Sequence, residues 1–211
     1  MKKCILMTML CLTAVVAGAD ERSSALLDRL SSLIGGYGNY RVEFTVYVPG
    51  LAPQQIEGYY LVNGDKYYIT VEDREIYCDG KLKYEVSGAD REVTLDRVDP
   101  ADRNILSNPT RAFEFLDGAF THAYRGEATA DGKRCDEVVL HPSDKTLGLS
   151  EVTLDVDRAT GLPVRLSYRL EGSDAPIGIG IDRIVPGAAA DPAVFVFDRS
   201  RYKGFEIIDF R

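Results

Sequence analysis

Between Gln54 and Val98 apolar and polar residues alternate in short runs, and tight-turn dipeptides separate those runs. Asn63-Gly64, Glu72-Asp73, Asp79-Gly80 and the stretch Gly88 to Asp90 supply the turns. Asn-Gly and Asp-Gly accept the positive φ angles of two-residue hairpin loops, so this stretch predicts a meander of five antiparallel strands. Tyr59, Tyr60, Tyr67, Tyr68, Ile69, Tyr77 and Tyr84 suit a pleated, half-buried surface. Upstream, Leu26, Leu27, Leu30, Leu33 and Ile34 fall on one stripe at helical spacing, with Ser23 or Ser24 as cap and Gly35-Gly36 as stop. Tyr40, Val42, Phe44, Val46 and Val48 then alternate with Arg41, Glu43, Thr45 and Tyr47, which predicts a strand with one buried and one wet face.

Beyond Val98 the pattern changes. Asp99-Pro100 breaks the last strand of the meander, and Asn108-Pro109 predicts a helix start with Ala112, Phe113 and Leu116 on one side and Gly118 as stop. Strands resume at Phe120 to Ala128, Lys133 to His141, Leu149 to Val156 and Leu162 to Leu170. In the last two, Val152, Leu154 and Val156 share a face, as do Val164, Leu166, Tyr168 and Leu170. Ile177, Ile179 and Ile181 alternate with Gly178 and Gly180, and strand glycines permit a bend or close backbone approach. Val194 to Phe197 and Phe205 to Asp209 read as closing strands, giving ten to twelve in all at the spacing of an all-β sandwich or barrel.

At the start, Lys2 and Lys3 precede an apolar run from Cys4 to Val16, followed by Ala17-Gly18-Ala19. This predicts a secretory leader, residues 1–19, cleaved before Asp20, with residues 20–211 as one exported domain. The run is shorter than the ~20 residues that cross a hydrocarbon core, which argues against an anchor. Leu10 before Cys11 does not fit a lipidation site. Removing a leader with two lysines and no acids takes the formal charge from −8 to −10, which excludes nucleic acid and anionic headgroups as expected partners. Cys78 and Cys135 remain; a disulfide and two separate buried thiols are both open readings.

Candidate chemistry is sparse. His122 and His141 are the two histidines, and neither has a cysteine or second histidine at metal-ligand spacing, so no metal and no cofactor are expected. Gly148-Leu149-Ser150-Glu151-Val152 begins like a nucleophile elbow but has valine where the second glycine belongs and no following helix. An esterase using Ser150 with His141 is therefore the remotest of three functional readings. Gly35-Gly36-Tyr37-Gly38 follows a helix instead of opening one, so it reads as a helix stop and not a phosphate cradle. What survives is a curled antiparallel sheet with an apolar inner face, enclosing either a packed core or a binding cavity.

The leading helix, the Tyr40 to Val48 strand, GYYLVNGDKYYI at Gly58 to Ile69, CDGKLKYEV at Cys78 to Val86, NPTRAF at Asn108 to Phe113, DVDRATGLPVRL at Asp155 to Leu166 and the closing FVFDRSRYKGFEIIDFR together resemble the periplasmic outer-membrane lipoprotein carrier family, in its LolA-like Bacteroidetes branch. The resemblance covers essentially the whole of residues 20–211. It implies an unclosed antiparallel β-barrel, a half-barrel with N-terminal and mid-chain helices as lid or plug, around a hydrophobic cavity for lipoprotein acyl chains. It further implies a non-enzymatic, monomeric periplasmic chaperone. An inner-membrane transporter would load it with lipidated proteins, and an outer-membrane acceptor would receive them. On that basis Phe44, Val46, Tyr60, Ile69, Leu95, Leu154, Leu166, Tyr168 and Ile179 are the expected cavity residues and Phe113 and Leu116 the expected lid. The better-known carriers place an Arg-Pro pair where this chain has Asn63-Gly64, so their hand-off details do not carry across. The alternative function is a lipid- or protein-binding envelope sensor on the same fold.

Overall fold

The computed structural model describes residues 13–50, 55–99, 107–113, 115–116, 118–145 and 148–211. Residues 1–12 of the expected leader, Gln54 at the start of the meander and Pro100 of the predicted strand break lie outside them. Helix α1 spans Thr13–Gly35, followed by strands β1 Asn39–Tyr47, β2 Gln55–Asn63, β3 Lys66–Val71, β4 Arg74–Cys78, β5 Leu82–Ser87 and β6 Glu92–Arg97. The later strands are β7 Phe120–Ala130, β8 Lys133–Pro142, β9 Leu149–Asp157, β10 Pro163–Leu170, β11 Ile177–Pro186 and β12 Glu206–Asp209. The fold is thus mainly β with one N-terminal helix. Hydrogen bonding orders the strands β12-β6-β5-β4-β3-β2-β1-β11-β10-β9-β8-β7 in a single sheet whose end strands do not pair with each other. The described pairs are antiparallel except β12 with β6, which run parallel. No helix among the described residues is long and apolar enough to cross a membrane.

The five-strand meander forms as its turn residues predict. Gly64 takes φ 58° in the β2–β3 turn and Glu72 takes φ 52° in the β3–β4 turn, the left-handed conformations that reverse a ribbon in two residues. In β1, Tyr40, Val42, Phe44 and Val46 are each 5% exposed or less, and the polar residues alternate with them.

Contacts divide the chain into two compact units. One holds the residues up to Leu33 with Phe113–Gly178, and therefore most of α1 and strands β7 to β10. Leu27 and Leu30 on α1 are fully buried, as the helical stripe predicts. Ser23 is not a cap, because the helix already runs from Thr13; its hydroxyl lies 2.9 Å from Nδ1 of His122 on β7. Next to it Arg22 donates to Asp136 at 2.7 Å and lies over the Tyr124 ring at 4.0 Å. Tyr124 donates to the same carboxylate at 2.9 Å, so helix and sheet share one polar clasp.

The other unit holds Ile34–Ala112 and Ile179–Arg211, and therefore β1 to β6, most of β11, and β12. Its C-terminal stretch departs from expectation. Val194 to Phe197 is not a strand: Asp191 accepts from the Ala193 amide at 2.9 Å and Pro192 opens a single 3-10 turn, Pro192–Phe195. Capping satisfies the local backbone there, which a strand could do only beside a partner.

The mid-chain helix is also corrected. Asn108 caps as predicted, accepting from the Thr110 amide at 3.3 Å, but only the 3-10 turn Pro109–Arg111 follows. Phe113 and Phe115 are 3% and 6% exposed and two positions apart, a spacing that extended chain buries on one side and a helix does not. Leu116 is 42% exposed.

Candidate functional site

Within the unit that holds the meander, the strand register sets out its two faces in rows. On the first face one row runs Val42, Tyr60, Ile69, Ile76, Glu85, Thr94, and the next runs Phe44, Gly58, Val71, Arg74, Ser87, Glu92. Both rows are apolar on β1 to β3 and turn polar beyond, with Arg74 on β4, Glu85 and Ser87 on β5, and Glu92 and Thr94 on β6. Val42, Phe44, Tyr60 and Ile69 are at most 1% exposed. Where the character changes, a hollow of about 400 Å³ opens, with Ile69, Val71 and Ile76 as apolar lining and Arg74, Glu85 and Glu92 around it. That volume lies in the range of small-molecule sites, which pair an apolar floor with a few polar groups.

Gly58 holds the first face shut on the β1–β2 side. A Cβ there would stand 2.7 Å from both the Phe44 ring and the Thr70 carbonyl oxygen, so glycine lets the ring lie flat on the strand. Gly180 does the same on the opposite face, where the Tyr47 ring lies 3.3 Å from the position of its missing Cβ. Ile179, 2% exposed, therefore points toward the first face.

The second face of the meander is aromatic and covered. Tyr68 and Tyr77 rings are 4.9 Å apart, and Tyr84, Phe197 and Tyr202 stack in series at 4.5 and 5.3 Å. Phe195 is 1% exposed in the same cluster, which also takes in Tyr59, Phe205 and Ile207. The segment that follows β11 thus seals this face. Asn39 and Asn63 hold its start: the Ala189 amide donates to Asn39 at 3.0 Å and Asn63 donates to the Ala189 carbonyl at 3.1 Å.

At the centre stands the Glu75 carboxylate, accepting from Tyr68 at 2.5 Å, from Tyr77 at 3.0 Å and from Tyr202, with Arg201 at 3.7 Å. Burial pushes the Glu75 pKa up and is the largest single influence; the hydrogen bonds from Tyr202, Tyr68 and Tyr77 and the Arg201 charge together outweigh it and hold the pKa below the ordinary value. Burial first, then the Glu75 partnership, pushes the Tyr68 and Tyr202 hydroxyls upward, so they stay neutral donors.

In the unit that holds α1, Leu154 faces Leu166 across the β9–β10 ladder and both are fully buried. Tyr168 pairs with Val152, and burial pushes its hydroxyl pKa up. Val164 does not join Leu166 and Tyr168 as the alternation predicts. The ladder is irregular between Pro163 and Arg165, and Val164 packs with Ala130 and Cys135. On the polar face Asp155 stands between Glu137 and Arg165, with burial and then the Glu137 charge raising its pKa against the Arg165 charge.

The expected cavity residues thus separate into sets. Phe44, Val46, Tyr60 and Ile69 share the first face of the meander's sheet, and Ile179 points the same way. Leu95 does not join them: it pairs with Tyr84 and lies on the aromatic second face. Leu154, Leu166 and Tyr168 belong to the other unit, as do the lid candidates, buried Phe113 and exposed Leu116. Ile76, Arg74, Glu85 and Glu92 were missed. In Arg74-Glu75-Ile76-Tyr77-Cys78 both faces carry apolar residues, and Tyr77 is the louder of the two signals.

Cys78 and Cys135 are free thiols, both buried, so of the two open readings the structure has the separate buried thiols and not the disulfide. Cys78 Sγ lies 3.3 Å from the donating Gly80 amide, while Cys135 packs in its separate cluster with Ala130 and Val164. Burial raises both thiol pKa values, which keeps the nucleophilic thiolate scarce. The Ser150–His141 reading fails on geometry: Ser150 donates to the Arg169 carbonyl at 3.0 Å, and His141 Nδ1 lies 3.2 Å from the Ser150 carbonyl, not its hydroxyl. Among the described residues no cluster of three or more His, Cys, Asp or Glu could hold a metal ion.

Comparison with known proteins yields likeness of fold. No family model matches the chain, and no curated protein matches it. An uncharacterized conserved protein from Thermus thermophilus superposes with TM-score 0.61 at 8% identity, over 89% of this chain and 99% of that one. MucB superposes with TM-score 0.50 at 16% identity, over 89% of this chain and 66% of its own. A LolA superfamily protein from Nitrosomonas europaea gives TM-score 0.44 at 11% identity, over 83% of this chain and 97% of that one.

Proposed function

We propose that the chain is a non-enzymatic carrier that shelters the acyl chains of lipoproteins in the bacterial periplasm. One observation carries this reading: the first face of the meander is apolar over three strands and then opens into an aliphatic-floored hollow of about 400 Å³, while the second face is sealed by the chain's own aromatic segment. A protein that needed only a core would have no use for the asymmetry. The fold likeness to MucB and to the Thermus protein is compatible with this reading and assigns no ligand. The Bacteroidetes-type branch, the loading transporter, the outer-membrane acceptor and the monomeric state rest on the sequence resemblance. The remaining cavity candidates, Leu154, Leu166, Tyr168 and the lid pair Phe113 and Leu116, stand on the same resemblance.

The energetics explain why such a carrier is needed. Each methylene of an acyl chain exposed to water costs about 0.8 kcal/mol, so a lipidated protein does not cross an aqueous space unaided. Delivery requires release as well, and a site part apolar and part polar holds a tail less tightly than a closed apolar cavity does.

The test uses inner-membrane vesicles bearing lipidated and unlipidated forms of one lipoprotein, incubated with the mature protein. Selective release of the lipidated form is the expected result; equal release of both ends the carrier reading. Displacement of a fluorescent fatty acid gives the simpler binding measurement.

A further inference from the structure

Resting on that reading, we infer that the hollow on the first face prefers amphiphiles whose head carries an ammonium group, so the favoured ligand is an amine-bearing lipid. The apolar floor alone would not discriminate among heads on a given tail. The rim does. Glu92 pairs across β6 and β12 with Glu206, which puts two carboxylates side by side on the same face. Among the described residues no ion pair engages either of them, and like charges directly opposite one another repel. Glu85, one strand away, is held at 3.1 Å by Lys83. Arg74 is the arginine that lines the hollow and stands in the same row as Ser87 and Glu92, at the far side from the Glu92–Glu206 pair.

Among the described residues the carboxylates at the rim therefore outnumber the cations, and the excess is concentrated where the apolar floor ends. A tail lying over Ile69 and Ile76 would bring its head to that edge. An ammonium there relieves the repulsion between Glu92 and Glu206, whereas a carboxylate adds a third like charge. The partly exposed setting keeps the discrimination moderate and sensitive to salt.

The experiment measures displacement of a neutral naphthylamine dye from the full mature protein by dodecylamine, dodecanol and dodecanoate at pH 7. In low salt the amine should compete about tenfold more strongly than the carboxylate, with the alcohol between, and the gap should narrow as salt screens the rim. In Glu92→Gln the gap should shrink to about twofold, and in Glu92→Lys the order should reverse, while dodecanol competes as before. Urea midpoints of both variants confirm that they fold. Equal competition by amine and carboxylate overturns the inference and leaves the carrier reading standing, and so does a preference that survives Glu92→Lys. Failure of all three dodecyl compounds to displace the dye removes the binding site itself, and the carrier reading with it.

Discussion

The two faces of the meander are built from the same strands yet end differently. The second face carries Tyr59, Tyr68, Tyr77 and Tyr84, and the C-terminal segment lays Phe195, Phe197, Tyr202 and Phe205 over them. The first face is apolar on β1 to β3, then gains Arg74 on β4, Glu85 on β5 and Glu92 on β6 around its hollow. Aromatic pairs at 4.5 to 6.3 Å and a carboxylate taking three phenol donors make the second face a place where the chain satisfies itself. Among the described residues only β3 to β6 and the turn between β5 and β6 line the hollow, which makes that end of the first face a place where something else can. Substitutions on the second face should therefore act on stability, and substitutions in the hollow on binding.

The largest effect is expected at Phe195, which is 1% exposed beneath the C-terminal segment. Phe195→Ala removes a ring from a closed cluster and should destabilise by about 3 to 5 kcal/mol, read from urea unfolding. A loss under about 1 kcal/mol would mean that the segment does not seal this face.

Gly58→Ala comes next. It lies on the first face, but on the closed side, where a new methyl meets the Phe44 ring and the Thr70 backbone oxygen. The oxygen cannot move without bending β3, so a loss of about 1 to 3 kcal/mol is expected in thermal melts. A neutral outcome would show that the apolar part of this face is as open as the hollow.

How much of this the sequence carried depends on how local the cause was. The hairpins were legible because their cause lies within four residues: Asn63-Gly64 and Asp79-Gly80 specify their own turns. Face assignment was legible within a strand and lost across turns. The sequence pattern groups Leu95 with Ile69, but strand alternation fixes faces only if the register of every intervening hairpin is known, and a one-residue slip inverts them. Likewise Val194 to Phe197 has the composition of a strand. Asp191-Pro192 ahead of it makes it a capped turn whose Phe195 enters an aromatic cluster assembled from distant residues. The hollow was the least legible feature, because an unfilled space leaves no residue in the sequence.

A smaller effect on stability, with a characteristic pH dependence, is expected at Glu75. Glu75→Gln keeps the shape but removes the charge that strengthens the bonds from Tyr68, Tyr77 and Tyr202, and should cost about 1 to 2 kcal/mol at pH 7. Because the folded pKa of Glu75 is held below the ordinary value, its contribution is fully present above the unfolded pKa of about 4.3 and is lost as pH falls through the lower folded value. Urea midpoints of the native chain and Glu75→Gln should therefore differ most near neutrality and converge in acid. A difference that is constant with pH would assign the cost to packing and not to the carboxylate.

The smallest change in stability, and the clearest separation of the two faces, is expected from Ile76→Trp. Ile76 lines the hollow and is only partly buried, so a larger ring can extend into empty space without displacing its neighbours. Unfolding should shift by less than about 1 kcal/mol. Binding should respond quite differently: the indole occupies volume that a tail would need, and affinity for a fluorescent fatty acid should fall at least about tenfold, the equivalent of losing contact with roughly two methylenes. Ile76→Ala, which enlarges the hollow, should keep binding within a few-fold. If Ile76→Trp binds as well as the native chain while Phe195→Ala does not, the ligand belongs to the second face, beneath the C-terminal segment, and the roles assigned to the two faces are exchanged.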